Sequence, residues 1–286
     1  MSRALAPPPD RLVFSVSGVP RSAAGTDTLS GLARVAELGL GGMELEFVHG
    51  VRIQDALALR VGARAAELGL WLTCHGPYYI NLHAVEADKR QASVKRILDT
   101  ARAAQKVGAR SITFHAAFYL KQPPAEVHAV VRDALAGIVE TLRAEDNPVQ
   151  VRPELTGKPS QYGDLDELLR LSREVPGVLP CIDWSHLHAR TGGGHNDRQA
   201  FEAVLDRVAD ALGPAALRDM HMHVSGIEYS AKGERKHLEF SEADFRYQEL
   251  LEALAARGVR GVLVCESPTQ EDDTLVLQKA YARLRA

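Results

Sequence analysis

Short apolar runs alternate along the chain with longer segments whose apolar positions recur every three or four residues. The short runs are Leu12–Val16, Gly42–Glu46, Leu70–His75, Ser111–His115, Val149–Glu154, Val178–Asp183, Met220–Ser225 and Val262–Glu266. Their length and β-rich composition predict strands. Helices are predicted between and after them, over Thr28–Glu37, Ile53–Leu68, Lys89–Val107, Pro124–Arg143, Leu165–Glu174, Arg198–Leu212, Glu242–Ala256 and Asp272–Leu284. Leu38-Gly39, Leu68-Gly69, Val107-Gly108 and Arg257-Gly258 place glycine where a helix should stop, with a strand soon after. Strand–helix units in alternation imply a parallel sheet, and eight of them close a ring. The expected fold is therefore α/β, a single (β/α)8 TIM barrel with its active site at the C-terminal ends of the strands. The alternative, a doubly wound open sheet, calls for a glycine-rich phosphate turn after the first strand. Ser17-Gly18-Val19-Pro20 is not one. Residues 1–10, with Pro7, Pro8 and Pro9, read as a disordered lead, and residues 11–286 as one barrel domain undivided by a Pro/Gly-rich linker.

Composition adds exclusions. The 286 residues are 45% hydrophobic and 25% charged, ordinary values for a globular protein. No apolar run approaches the roughly 18 residues of a membrane span. Three scattered cysteines, Cys74, Cys181 and Cys265, point to a reducing cytoplasm and not to a disulfide framework. A net charge of −3 gives no general basic surface for nucleic acid, so any phosphate-binding charge must be local. Nothing marks an obligate protein partner.

The chemistry lies in what ends the strands. The third strand ends in His75, the fourth in His115, the fifth in Glu154 and the sixth in Asp183, with His186 three residues on. The seventh contains His221 and His223, and the eighth ends in Glu266. In a closed barrel these ends meet on one rim. Buried carboxylates such as Glu154 and Glu266 need a cation or a metal, because an unpaired charge there costs several kcal/mol, of the order of a lost ion pair. His and carboxylate donors suit Zn2+, Mn2+ or Fe2+. The set exceeds the donors of a single tetrahedral ion, which predicts a cluster of two or three. Such a cluster activates water and grips a phosphodiester without a side-chain nucleophile. Cys74 and Cys265 precede His75 and Glu266, so they are expected to face the helices as apolar fillers.

These segments resemble the endonuclease IV family, metal-dependent apurinic/apyrimidinic endonucleases of the xylose-isomerase-like barrel superfamily. The likeness spans about residues 13–284 and rests on His75-Gly76-Pro77-Tyr78-Tyr79-Ile80-Asn81-Leu82, Phe114-His115-Ala116, Glu154-Leu155-Thr156-Gly157-Lys158, Cys181-Ile182-Asp183-Trp184-Ser185-His186, Met220-His221-Met222 and Cys265-Glu266-Ser267-Pro268. It implies two or three zinc ions: one held by His75, His115 and Glu154, and a second by Glu154, Asp183, His221 and Glu266. A third would be held by His186 with a pair from the loop after the seventh strand. It also implies cleavage of damaged double-stranded DNA on the 5′ side of abasic sites by metal-activated water, with Glu154 and Glu266 central to catalysis. Tyr78, Asn81, Lys158, Arg235 and Lys236 are the expected substrate contacts.

The family's third-site Asp-Arg-His is here Glu234-Arg235-Lys236-His237, where direct register puts Lys236 at the His position and a shift of one recovers His237. His223 shares a strand face with His221 and is a further ligand. The segment after the second strand, Phe47–Arg52, lacks a long DNA-penetrating loop, and Glu46 adds a carboxylate near the rim. Lys121, Lys158, Arg190, Lys232, Arg235 and Lys236 form an expected basic rim. The competing readings are a one-metal sugar isomerase or epimerase on the same barrel, and a non-catalytic metal-containing binding protein.

Overall fold

A computed structural model describes residues 7–285; residues 1–6 of the expected lead lie outside them. The eight barrel strands are β1 (Leu12–Ser17), β2 (Gly42–Glu46), β3 (Trp71–His75), β4 (Ser111–Phe114), β5 (Gln150–Pro153), β6 (Cys181–Asp183), β7 (Met220–Val224) and β8 (Gly261–Cys265). All pair in parallel, β1 to β5 in sequence on one side and β8, β7 and β6 returning from β1 on the other. The last gap, between β5 and β6, is bridged at Val151–Val178 and Glu154–Cys181. The fold is thus the expected TIM barrel, with each parallel step made by a connecting helix.

Local signals explain the helices. Asp27 caps Thr28–Glu37 by accepting from Leu29 and Ser30. Asp164 and Glu167 form a reciprocal capping box on Leu165–Glu174. Gly108 ends Ala87–Val107 at φ 73°, a left-handed conformation that costs a residue without Cβ little.

Several features were not foreseen. A seven-residue helix, Trp184–Arg190, follows β6 directly and is capped by its last residue, Asp183, which accepts from His186 N at 2.6 Å. An antiparallel hairpin, Gly226–Ser230 with Gly233–Leu238, rises from β7. The helix expected from Glu242 begins only at Tyr247, after a single 3-10 turn at Phe240–Glu242.

Alternate strand residues face outward and inward. The outward set, including Val16, Cys74, Ile112 and Val151, packs with helix residues Leu32, Val61, Ile97 and Leu135 in one large cluster. Cys265 lies in the other, with Leu251 and Leu277. The inward set is unusually polar: Ser15, Glu44, Thr73, Ser111, Thr113, Arg152 and His221 are all buried. At the N-terminal end of the barrel Asp219 takes a two-pronged contact from Arg110, at 2.7 and 2.6 Å, and one from Gln150 at 2.7 Å. Arg152 donates to the Asp219 carbonyl at 2.6 Å. Burial pulls the Arg152 guanidinium down to about 10 against the opposing charge of Asp219.

Removing one partner of such a group strands the other charge. Asp219→Ala is therefore expected to lower the unfolding free energy by about 3–5 kcal/mol. Urea unfolding checks this, and a loss below about 1 kcal/mol, the scale of an exposed pair, would mean that water reaches Arg110 and Arg152.

Candidate metal centre

Glu154 lies immediately beyond β5 with its side chain 1% exposed, and imidazoles surround it. His75 Nε2, from the end of β3, is 3.2 Å from Oε2. His115 Nε2, just beyond β4, is 3.2 Å from Oε1. His186 Nδ1 is 3.0 Å from Oε1, and His223 Nδ1, from β7, is 3.7 Å from Oε2. Burial opposes ionisation of Glu154, but the charges of His115 and His223 outweigh it and hold the carboxyl well below its usual range.

Three groups of potential ligand atoms converge here. They are His75, His115 and Glu154; Glu154, Asp183, His223 and Glu266; and His186, Glu234 and His237. Three of their imidazoles are set by second hydrogen bonds. Nδ1 of His75 contacts the Gly76 carbonyl at 2.7 Å, Nδ1 of His186 that of Leu155 at 3.0 Å, and Nδ1 of His237 that of Glu266 at 3.1 Å. A carbonyl only accepts, so each Nδ1 is the donor, and Nε2 is the nitrogen each of these rings could turn to an ion.

His221 is not where the resemblance put it. It sits one inward position deeper than His223, with Nε2 2.9 Å from Glu44 Oε2 and Nδ1 3.0 Å from Ser111 Oγ. The β7 residue facing Asp183 and Glu266 is His223, whose Nδ1 lies 3.4 Å from Glu266 Oε2. Cys181 also departs from expectation: its thiol faces His221 and His223, where no cysteine was expected among the ligands.

The shift of one in the Glu234-Arg235-Lys236-His237 segment has a structural cause. Residues three apart on a regular strand face opposite sides. In the hairpin Glu228 pairs with Lys236 but Tyr229 pairs with Glu234, so Arg235 is an extra residue in the ladder. That bulge puts Glu234 and His237 on the same side, with Glu234 Oε2 3.6 Å from His186 Nε2. Gly157 permits the approach, since a Cβ there would lie 2.7 Å from Glu234 Cβ and 2.9 Å from His186 Cδ2. Glu234 was visible in the sequence as the counterpart of the family's Asp, but it was not in the expected ligand set.

The groups line a cavity of about 450 Å³ whose wall also includes Ser17, Glu46, Tyr78, Phe118, Lys158 and Gln161. Tyr78 is exposed at the mouth, edge-on to His75 at 6.2 Å between ring centres. Glu46 accepts from Ser17 Oγ at 2.8 Å, and burial, with the charges of Glu44 and Glu266, pushes its carboxyl up to about 7 against the charge of His75. Three expected substrate contacts do not line this cavity. Asn81 spends its side-chain oxygen on the amides of His83 and Phe118. Arg235 and Lys236 project from the hairpin and pair with Glu228 at 2.8 and 3.5 Å. Of the expected basic rim, Arg190 is tied to the carbonyls of Thr156, Lys158 and Gln161, and Lys158 is the basic residue that reaches the cavity wall.

Known proteins place this architecture. An uncharacterized protein of Methanocaldococcus jannaschii is 39% identical over 273 residues, covering 96% of this chain and 98% of its own length. The crystal structure of endonuclease IV from Thermus thermophilus superimposes with a TM-score of 0.71 at 19% identity, covering 96% of this chain and 98% of that one. A structure of L-ribulose 3-epimerase gives 0.69 at 14% identity, covering 96% and 93%. At such identities the two structures establish the fold and leave the chemistry open. Residues 32–286 match the xylose isomerase-like TIM barrel family, and the chain belongs to it.

Proposed function

We propose that this protein is a metal-dependent phosphodiesterase of the endonuclease IV type, cutting DNA on the 5′ side of abasic sites. The observation that carries this reading is the position of Glu154. Its two oxygens face different imidazoles and tie two ligand groups together, while a third group stands beside them. A one-ion isomerase or epimerase site needs about four protein ligands. The three groups here contain nine side chains.

The donors fit zinc, with Mn2+ or Fe2+ as substitutes. Asp183 Oδ2 is buried without a hydrogen bond and 3.3 Å from His186 Nδ1, a carboxylate oxygen that a bound ion could take over. His75, His115 and Glu154 would hold one ion, Glu154, Asp183, His223 and Glu266 a second, and His186, Glu234 and His237 a third. When bound, such ions activate water and neutralise a phosphodiester. Around them the chain's own groups bind and orient. Lys158 offers a cation to a phosphate, and Tyr78 offers an aromatic face at the mouth of the cavity.

One observation favours the sugar-epimerase alternative. The cavity wall carries Glu46, Glu154, Glu234 and Glu266 against one lysine, and its 450 Å³ would accommodate a monosaccharide. The deciding experiment is cleavage of a duplex oligonucleotide with a single abasic site, with metals counted on the same preparation. Nicking with two or three ions per chain is expected. No nicking with one ion per chain would shift the assignment to sugar isomerisation or epimerisation.

Two further outcomes follow from Glu154 and its neighbours. Glu154→Ala is expected to cost at least about 100-fold in cleavage and to reduce the ions retained after dialysis; full activity with full occupancy would sink the shared-carboxylate mechanism. Burial lowers the proton affinity of His75 and His186, but the hydrogen bond to Glu154 and the charge of Asp183, respectively, lead the effects that raise each to about 10 without metal. Both imidazoles are then protonated at pH 7 and must lose protons to bind an ion. Zinc uptake is expected to release protons and to tighten as pH rises from 7 toward 10. Calorimetry in buffers of different ionisation enthalpy measures the release; none at pH 7 would contradict it.

A further inference from the structure

Below the metal groups, Glu44 on β2 is fully buried in the barrel lumen. Its Oε1 lies 2.9 Å from His223 Nε2 and its Oε2 2.9 Å from His221 Nε2. Both are close ion-pair contacts, and none of the four atoms makes a hydrogen bond in this structure. On the far side of His221, Nδ1 is 3.0 Å from Ser111 Oγ. On the far side of His223, Nδ1 points to the rim, 3.4 Å from Glu266 and 3.7 Å from Glu154. His223 therefore reverses the pattern of His75, His186 and His237, which are held through Nδ1 by backbone carbonyls and present Nε2.

We propose that Glu44 is a positioning residue for the metal centre, accepting Nε2–H from His223 and so fixing the tautomer whose bare Nδ1 faces Glu154, Asp183 and Glu266. A carboxylate has two oxygens, and leaving the second unpartnered in the lumen would be costly. His221 supplies the second donor. With its own Nδ1 accepting the Ser111 hydroxyl proton, the proposed tautomers would link Ser111, His221, Glu44 and His223 through contacts of 2.9–3.0 Å. Outer carboxylates on ligating imidazoles raise their basicity and hold the ring in plane. The inference rests on the multi-ion reading of the rim.

The test uses the full chain, stripped and reloaded with zinc, with affinity read by competition against a chromophoric chelator. Glu44→Ala is expected to weaken one of the bound ions by about 10–100-fold while the rest stay tight. Glu44→Gln is expected to recover most of the loss, because its amide oxygen still accepts from His223. The thermal midpoint of the metal-free variants separates this from simple destabilisation. If Glu44→Ala does not fold, nitrogen-15 spectra of the zinc-loaded wild type and of Glu44→Gln decide. Ligation of His223 through Nδ1 is expected, and ligation through Nε2 overturns the proposal. Unchanged affinity in Glu44→Ala overturns it alone, as does a lumen ion lost on Cys181→Ser, which would place a metal among Cys181, His221 and His223. A wild-type chain that takes up no zinc overturns the rim reading and this inference together.

Discussion

Glu154 brings an ionised carboxylate to a position where its side chain is 1% exposed, with four imidazole nitrogens between 3.0 and 3.7 Å away. The desolvation of that charge amounts to several kcal/mol and is offset only by cations or ions close by. The four histidines arrive from the ends of β3, β4 and β7 and from the helix after β6, so the carboxylate can be satisfied only if the ring closes. The backbone of Glu154 takes part in that closure. It bridges to Cys181 across the one gap in the strand ladder, and the next residue, Leu155, donates to the Cys181 carbonyl at 3.0 Å. Closing the barrel and assembling the centre thus meet at Glu154, one of the two bridges across that gap.

The lumen extends the same logic downward. A TIM barrel interior is ordinarily layered with branched apolar residues. Here the axis carries opposed polar groups at three heights: Glu154 with its imidazoles, Glu44 with His221 and His223, and Asp219 with Arg110 and Arg152. Apolar interior packing is confined to a small patch of Val13, Val262 and Val264 against Trp71. Such pairs add little net stability over well-packed apolar residues, but each is expensive to break. Once Glu44 occupies the lumen its charge calls for cationic neighbours, and His221 and His223 stand 2.9 Å from its two oxygens.

Much of this was legible in the sequence, because alternation of short apolar runs and amphipathic segments fixes both the number of units and where strands end. Residues at strand ends converge whatever the details, which is why His75, His115, Glu154, Asp183 and Glu266 could be picked out. What the pattern does not encode is height. His221 and His223 share a face, yet they stand about 6–7 Å apart along the strand, enough to put one at the rim and the other in the lumen. Nor does period-2 reasoning anticipate a bulge: on a regular strand Glu234 and His237 would face opposite sides, and the extra residue at Arg235 brings them together. The helix Trp184–Arg190 is too short for its apolar period to register. Asn81 came from the resemblance, and Arg235 and Lys236 also from the charge of their loop; the structure shows the Asn81 oxygen on loop amides and the two cations beside Glu228.

The charge of the cavity decides how a polyanion could enter it. Glu46, Glu154, Glu234 and Glu266 line the wall, with Asp183 buried behind them, and Lys158 is the opposing cationic lysine. Without ions this surface repels phosphate, and the protein's overall −3 offers no compensating field. Each bound divalent ion adds two positive charges where the carboxylates are densest and reverses the local sign. On the proposed reading, metal loading and phosphate affinity are therefore coupled through direct electrostatics, and each ion strengthens the other ligand's binding reciprocally. A neutral sugar would feel little of that reversal. On the same reading the sparse basic rim does not argue against a phosphate substrate, because the ions would supply the positive charge that side chains do not.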